Sequence, residues 1–199
     1  NATSAYGSGI YIEVGEEIKL KDLLYGLMLR SGNDAASMIA AYVSGSVEEF
    51  VKLMNNKAKE LGMKNTIFYT PSGLPTPHGN LSSVYDMAIL TRYAMQNKEY
   101  REIVSTKKYK IATNKKTYIW HNKNKLLKYD YITGGKTGYT EESGRTLVST
   151  ANIDNMNLIV VTIRDSDDWN THLELYNYAK DNYISYKVLN KNKFNLIGD

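Results

Sequence analysis

Gly134 to Thr150 reads GGKTGYTEESGRTLVST, directly after Thr133. Two adjacent glycines allow another backbone to lie close. Lys136, Thr137 and Thr140 then place one cation and two hydroxyls on a short stretch, a composition suited to a single anionic group. Thr146 to Ala151 and Met156 to Ile163 flank Asp154-Asn155, so the stretch feeds a β-hairpin and Lys136-Thr137-Gly138 belongs on a strand edge. Just upstream, Tyr109-Lys110-Ile111 and Thr117 to Trp120 flank Asn114-Lys115 as another hairpin, with Ile111 and Ile119 turned inward and the lysines outward. From Trp169, the residues His172, Leu173, Tyr176, Ala179 and Tyr183 mark a closing helix.

The first half of the chain has a different period. Ile10 to Val14 reads as a short strand ended by Gly15, and a helical pattern begins at Glu16-Glu17 and continues through Leu20, Leu23, Leu24, Leu27 and Met28. Ser31-Gly32-Asn33 interrupts that pattern. It resumes over Asp34 to Val43 and stops at Gly45. Ser46-Val47-Glu48-Glu49 has the spacing of a capping box and starts a helix that runs to Gly62. Pro71 to Gly79 holds all three prolines and forms a loop, after which Ser83-Val84-Tyr85-Asp86 starts a helix running to about Asn97. Helices followed by antiparallel strands and a covering helix give an α+β layering. The expected organisation is one partial domain over 1–199, with a mainly helical part at about 16–100 and a sheet part at about 101–190.

Composition narrows the chemistry. The 199 residues are 42% hydrophobic, enough for a packed interior, and the net charge of +4 favours an anionic surface only mildly. Without cysteine there is no disulfide, thiolate metal site or cysteine nucleophile. No apolar run approaches the roughly 20 residues of a membrane span. His78, His121 and His172 show no paired spacing and read as loop or surface residues, so no metal site and no cofactor is expected.

Ser31-Gly32-Asn33 supplies a hydroxyl that can relay a proton and an amide that can bond a peptide carbonyl, on a turn between helices. A Ser-x-Asn followed by a Lys-Thr-Gly is the order used by serine acyl-transferases that bind penicillin. The chain resembles the low-molecular-weight D-alanyl-D-alanine carboxypeptidases, serine peptidases of family S11. The resemblance extends over Leu27 to Ala36 (LMLRSGNDAA), Thr70 to Leu74 (TPSGL), His78 to Arg92, Asn122 to Leu127 and Gly134 to Thr150. It implies a DD-peptidase/β-lactamase-like fold, with a helical subdomain joined to an antiparallel sheet covered by helices.

The resemblance also implies roles. Ser31 shuttles a proton between nucleophile and leaving amine, Asn33 holds the substrate's acyl amide, and Lys136 bonds Ser31 and supplies positive potential. Thr137 and Thr140 hold the terminal carboxylate beside Gly138, and the N–H of Tyr139 is one oxyanion donor. The implied substrate is a peptidoglycan stem ending in D-Ala-D-Ala, and the implied ligands include β-lactam antibiotics. The implied location is extracytoplasmic, with membrane association only through segments outside these residues.

One part of the pattern is missing. The acylated serine, with its lysine one turn later, should precede Ser31 by several tens of residues, and the 30 residues before Ser31 contain no such motif. The single Ser-x-x-Lys, Ser105 to Lys108, follows Ser31 and leads into strand-like sequence, so it is read as a polar strand entry. The chain is therefore read as a fragment, inactive by itself. Two rival readings remain. A β-lactamase needs a deacylating base, and Glu141 and Glu142 sit too near the carboxylate end to serve. A non-enzymatic polyanion or nucleic-acid binder would use Lys107, Lys108, Lys110, Lys115, Lys116, Lys123, Lys125 and Lys128 with Tyr109, Tyr118 and Trp120, although alternation makes such a hairpin an ordinary charged exposed face.

Overall fold

The protein is described by a computed structural model over residues 7–75 and 78–186. Thr76 and Pro77 of the proline-rich loop, and the closing residues from Phe194 to Asp199, lie outside the described residues. Five helices come first: α1 (Leu20–Arg30), α2 (Asn33–Ser44), α3 (Val47–Glu60), α4 (Val84–Ala94) and α5 (Lys98–Ser105). A two-stranded hairpin follows, β1 (Lys108–Ala112) with β2 (Thr117–His121), and then a 3-10 turn at Lys125–Lys128. The chain next forms an antiparallel sheet in the order β3 (Ile132–Thr140), β4 (Gly144–Ile153), β5 (Met156–Ile163), and α6 (Asp168–Asn182) follows it.

Local chemistry explains the boundaries. Ser46 and Ser83 accept the N–H groups of Glu49 and Asp86, as their spacing predicts. The helix from Ser83 stops earlier than expected, at Ala94. Asn97 then caps a further helix, α5, whose eight residues are too short a run for its period to stand out in the sequence. Asp154 and Asn155 both take positive φ, 50° and 65°, which gives the β4–β5 hairpin the twist its strands require.

The expected strand at Ile10 to Val14 does not form. Tyr11 turns to φ 59°, and the N–H groups of Ile10, Tyr11 and Ile12 converge on the Asp34 carboxylate rather than on a neighbouring strand. The helix expected from Glu16 begins only at Leu20, because the Glu16 carboxylate is held by Glu13 N–H, Thr113 and Tyr118.

Two buried clusters hold the layers. Ile10, Leu23, Leu29, Ala35, Ile39 and Trp120 join α1 and α2 to the inner face of the β1–β2 hairpin. Leu126, Ile132, Leu147, Ala151 and Tyr176 join the 3-10 turn to the main sheet and α6. Each fully buried large apolar side chain contributes about 1.5–3 kcal/mol relative to exposure. Alternation assigns the faces of the main sheet. Ser149 meets His172 and Tyr176 of α6, whereas its neighbour Thr150 meets Met95 at the end of α4, and α5 packs on β3. The sheet thus lies between α6 and the α4–α5 pair, and α1, which packs on α5, brings its C-terminus to β3. Among the described residues no helix is long and apolar enough to cross a membrane.

Candidate active site

Ser31 ends α1 in the left-handed region, at φ 60° and ψ 45°, with its N–H donating to Leu27 O at 3.0 Å. That position favours glycine, and holding a serine there costs conformational energy. Gly32 caps α2, and Asn33 begins it with its N–H donating to Ser8 O. The serine and the asparagine therefore flank one corner between two helices. Asp34, which the sequence reading passed over, fixes that corner. Its buried carboxylate accepts the N–H groups of Ile10, Tyr11, Ile12 and Ala35, tying the incoming chain to the first turn of α2. An aspartate in the first turn after a glycine cap is the sequence signal that could have revealed it.

β3 forms the opposite wall. A Cβ on Gly135 would fall on Val148 O, and one on Gly134 would fall on the Val104 side chain, so both glycines are needed for β3 to lie hard against β4 and α5. The next residue is Lys136. Its ammonium donates to Ser31 Oγ at 2.5 Å and to Thr137 O at 2.6 Å, joining residues 105 apart in sequence. Burial of the ammonium, assisted by repulsion from Lys123, lowers its pKa to about 8. A lysine so placed exchanges protons readily near neutral pH, and the serine hydroxyl against it can pass a proton on.

The remaining residues of the motif follow the strand's alternation. Lys136, Gly138 and Thr140 share the face of β3 toward α4 and α5, and Thr137 and Tyr139 share the face toward α6. Because Thr137 O accepts from the Lys136 ammonium, that carbonyl points away from β4. The two-residue repeat turns the N–H and C=O of Tyr139 to the same free edge. The Tyr139 side chain is 70% exposed. Thr140 Oγ1 accepts Ser143 N–H at 3.0 Å and shares a 2.8 Å hydrogen bond with Ser143 Oγ, so the β3–β4 turn orients its hydroxyl.

Other sequence candidates lie elsewhere. Ser105 is the last residue of α5, with its hydroxyl donating back to Glu102 O, and Lys108 already belongs to β1; the pair shares no helix face. His78 and His121 are exposed, but His172 is a correction. It sits in α6 and is fully buried, with Nδ1 2.6 Å from Ser149 Oγ and Nε2 3.1 Å from Thr162 Oγ1. A second correction concerns the β1–β2 hairpin. Tyr118 and Trp120 face inward, while Ile119 is 51% exposed on the outer face, because the register sets it opposite Lys110. A surface cleft of about 420 Å³ between the start of α1 and β1 is lined by none of the motif residues.

The comparisons with known proteins agree with this geometry. The chain is 38% identical over 198 residues to the D-alanyl-D-alanine carboxypeptidase DacF of Bacillus subtilis, covering 97% of this chain and 51% of that protein. It is 37% identical over 163 residues to DacC of Escherichia coli, covering 81% and 40%. The chain thus spans about half the length of the curated relatives it matches. Among solved structures, a D-alanyl-D-alanine carboxypeptidase of Mycobacterium tuberculosis superposes with a TM-score of 0.85 at 28% identity, over 92% of this chain and 72% of that one. The Streptomyces K15 DD-transpeptidase superposes with a TM-score of 0.78 at 32% identity, over 87% and 72%. The α+β fold is that of the penicillin-binding DD-peptidases. Residues 1–167 match the peptidase S11 family, D-alanyl-D-alanine carboxypeptidase, and the chain belongs to that family.

Proposed function

We propose that this chain forms the substrate-binding cleft and proton relay of a serine-type D-alanyl-D-alanine carboxypeptidase. The enzyme removes the terminal D-alanine of peptidoglycan stem peptides outside the cytoplasmic membrane and is acylated by β-lactams. The observation that carries this reading is the 2.5 Å bond between Lys136 Nζ and Ser31 Oγ, which brings two motifs from distant parts of the chain to one corner. The acylated serine belongs to a part of the protein outside these residues.

The extended substrate lies along the free edge of β3, with the N–H of Tyr139 donating to the oxyanion as it forms; such a donor lowers the barrier by roughly 3–4 kcal/mol. Asn33, at the head of α2, holds the substrate's acyl amide. The hydroxyls of Thr137 and Thr140 receive the terminal carboxylate at the end of β3, where the β3–β4 turn holds Thr140 through Ser143. Ser31, held against Lys136, carries the nucleophile's proton to the leaving amine, and water then releases the acyl group.

The test uses the protein that carries these residues. Release of D-alanine from a peptide ending in D-Ala-D-Ala, together with covalent labelling by a fluorescent penicillin, supports the reading. The label should map outside residues 1–199; a labelled serine within them would overturn the assignment of the nucleophile.

A further inference from the structure

We infer that the outer face of the β1–β2 hairpin is an electrostatic docking strip for a linear polyanion without aromatic bases, such as a phosphodiester-linked polymer. The starting point is charge segregation. Between Ile103 and Tyr129 the chain carries eight lysines and no carboxylate, whereas the whole chain is only +4, so the remainder is net negative. Six of these lysines, Lys107, Lys108, Lys110, Lys115, Lys125 and Lys128, are exposed, and among the described residues none of the six is in an ion pair. Lys108 and Lys110 lie on one face about 7 Å apart, with His121 across from Lys108. The 3-10 turn that follows β2 adds Lys125 and Lys128, both exposed.

Edge protection does not account for this pattern. Blocking a strand edge takes a few charges, lysine above all, whereas six of the eight lysines of this stretch lie outside β1 and β2. The structure also selects among polyanions. Tyr118 and Trp120 are turned into the core, and Tyr109 stacks at 3.6 Å on Tyr25 of α1. The strand part of the outer face therefore offers no platform on which bases could stack and no aromatic anchor for a bilayer interface. Lys128 lies over the Tyr129 ring at 4.9 Å, but Lys108 and Lys110 are in no cation–π contact among the described residues, and such cations recognise a chain of anions through charge alone. This inference is independent of the proposed reaction.

The test measures binding of the protein that carries this chain to inorganic polyphosphate, to poly(dT) matched in charge, and to phosphatidylglycerol vesicles, at increasing salt. Polyphosphate binding should weaken roughly 100-fold between about 50 and about 200 mM salt, the slope expected when four or five lysines displace counterions. Lys108→Glu with Lys110→Glu should weaken it at least about tenfold and flatten the slope. Lys59→Glu with Lys64→Glu, an equal change of net charge on and beside α3, should leave it nearly unchanged. Equal losses in the two pairs would overturn the strip in favour of net charge. Poly(dT) binding more tightly than polyphosphate would assign the face to nucleic acid, and vesicle binding without polyphosphate binding would assign it to a membrane; either result overturns the inference.

Discussion

The structure holds two serine–base pairs of nearly equal length in opposite surroundings. Ser31 Oγ lies 2.5 Å from Lys136 Nζ at a helix corner against a free strand edge. Ser149 Oγ lies 2.6 Å from His172 Nδ1 with both residues fully buried, and Tyr176 OH closes on the same serine at 2.7 Å. By side-chain chemistry alone the second pair looks the more reactive, since a histidine is the usual base for a serine. It is sealed between β4 and α6, where no substrate reaches, and all its hydrogen-bonding groups are satisfied internally. A short serine–base bond therefore marks a site only where one side remains open, and the two pairs should respond oppositely to mutation.

Lys136 gives the largest effect. Lys136→Ala should lower D-alanine release by the protein carrying this chain by roughly 10²–10⁴-fold, the usual contribution of a placed proton-transfer group, without lowering thermal stability, because the buried ammonium itself costs stability at neutral pH. A variant that kept its rate would remove the lysine from the relay. His172→Ala should do the reverse. Leaving a cavity and taking the imidazole from the hydroxyls of Ser149 and Thr162 should cost about 3 kcal/mol, seen as a lower melting temperature, while the rate per folded molecule is unchanged. A rate loss without a stability loss at His172 would erase the contrast.

How far this contrast could be read in the sequence depends on where each signal lies. Lys136 and Ser31 were legible because glycines and small polar residues cluster around them, and the glycine pair before Lys136 proves to be packing that only bare backbone permits. Helix starts at Ser46 and Ser83 were legible because a single side chain decides them. His172 was misread because the period of α6 does not say how deeply the helix is covered; the sheet does, and its strands are distant in sequence. Ile119 was misplaced because hairpin register depends on the turn, which an Asn114-Lys115 dipeptide left open. Asp34 was overlooked because its partners are backbone N–H groups of a distant segment, and only its place in the first turn of α2 after Gly32 marked it.

The two bases also separate by pH. Burial lowers the His172 pKa to about 4 from 6.5, against the opposing pull of Asp168 and Asp165. Between those values the unfolded chain binds a proton that the folded chain does not, so stability is full above pH 6.5 and falls as pH drops toward 4. A shift of this size corresponds to about 3 kcal/mol. For Lys136, lowered from 10.5 to about 8, the same reasoning places the window between pH 8 and 10.5, with stability rising as pH rises through it. Denaturant unfolding of the wild type and the His172→Ala variant across pH 4–7 checks the acid window: the variant's profile should lose this one-proton slope, and an unchanged slope would assign the acid lability to other groups.

The smallest effect isolates the backbone at Ser31. Ser31→Ala and Ser31→Gly both delete the hydroxyl, so both remove the relay and the bond to Lys136 equally. They differ in the conformation they tolerate: at φ 60° an alanine keeps the left-handed penalty of a side chain, about 1 kcal/mol, and a glycine does not. The glycine variant should therefore be the more stable of the two by about that amount, with both equally inactive. Glycine's larger entropy in the unfolded chain works against this difference and sets its lower bound near a few tenths of a kcal/mol. Equal stability of the two variants would show that the corner holds Ser31 without strain. The preference for serine over glycine there would then carry no cost, and the site's occupancy of a glycine position would cease to be a mark of function.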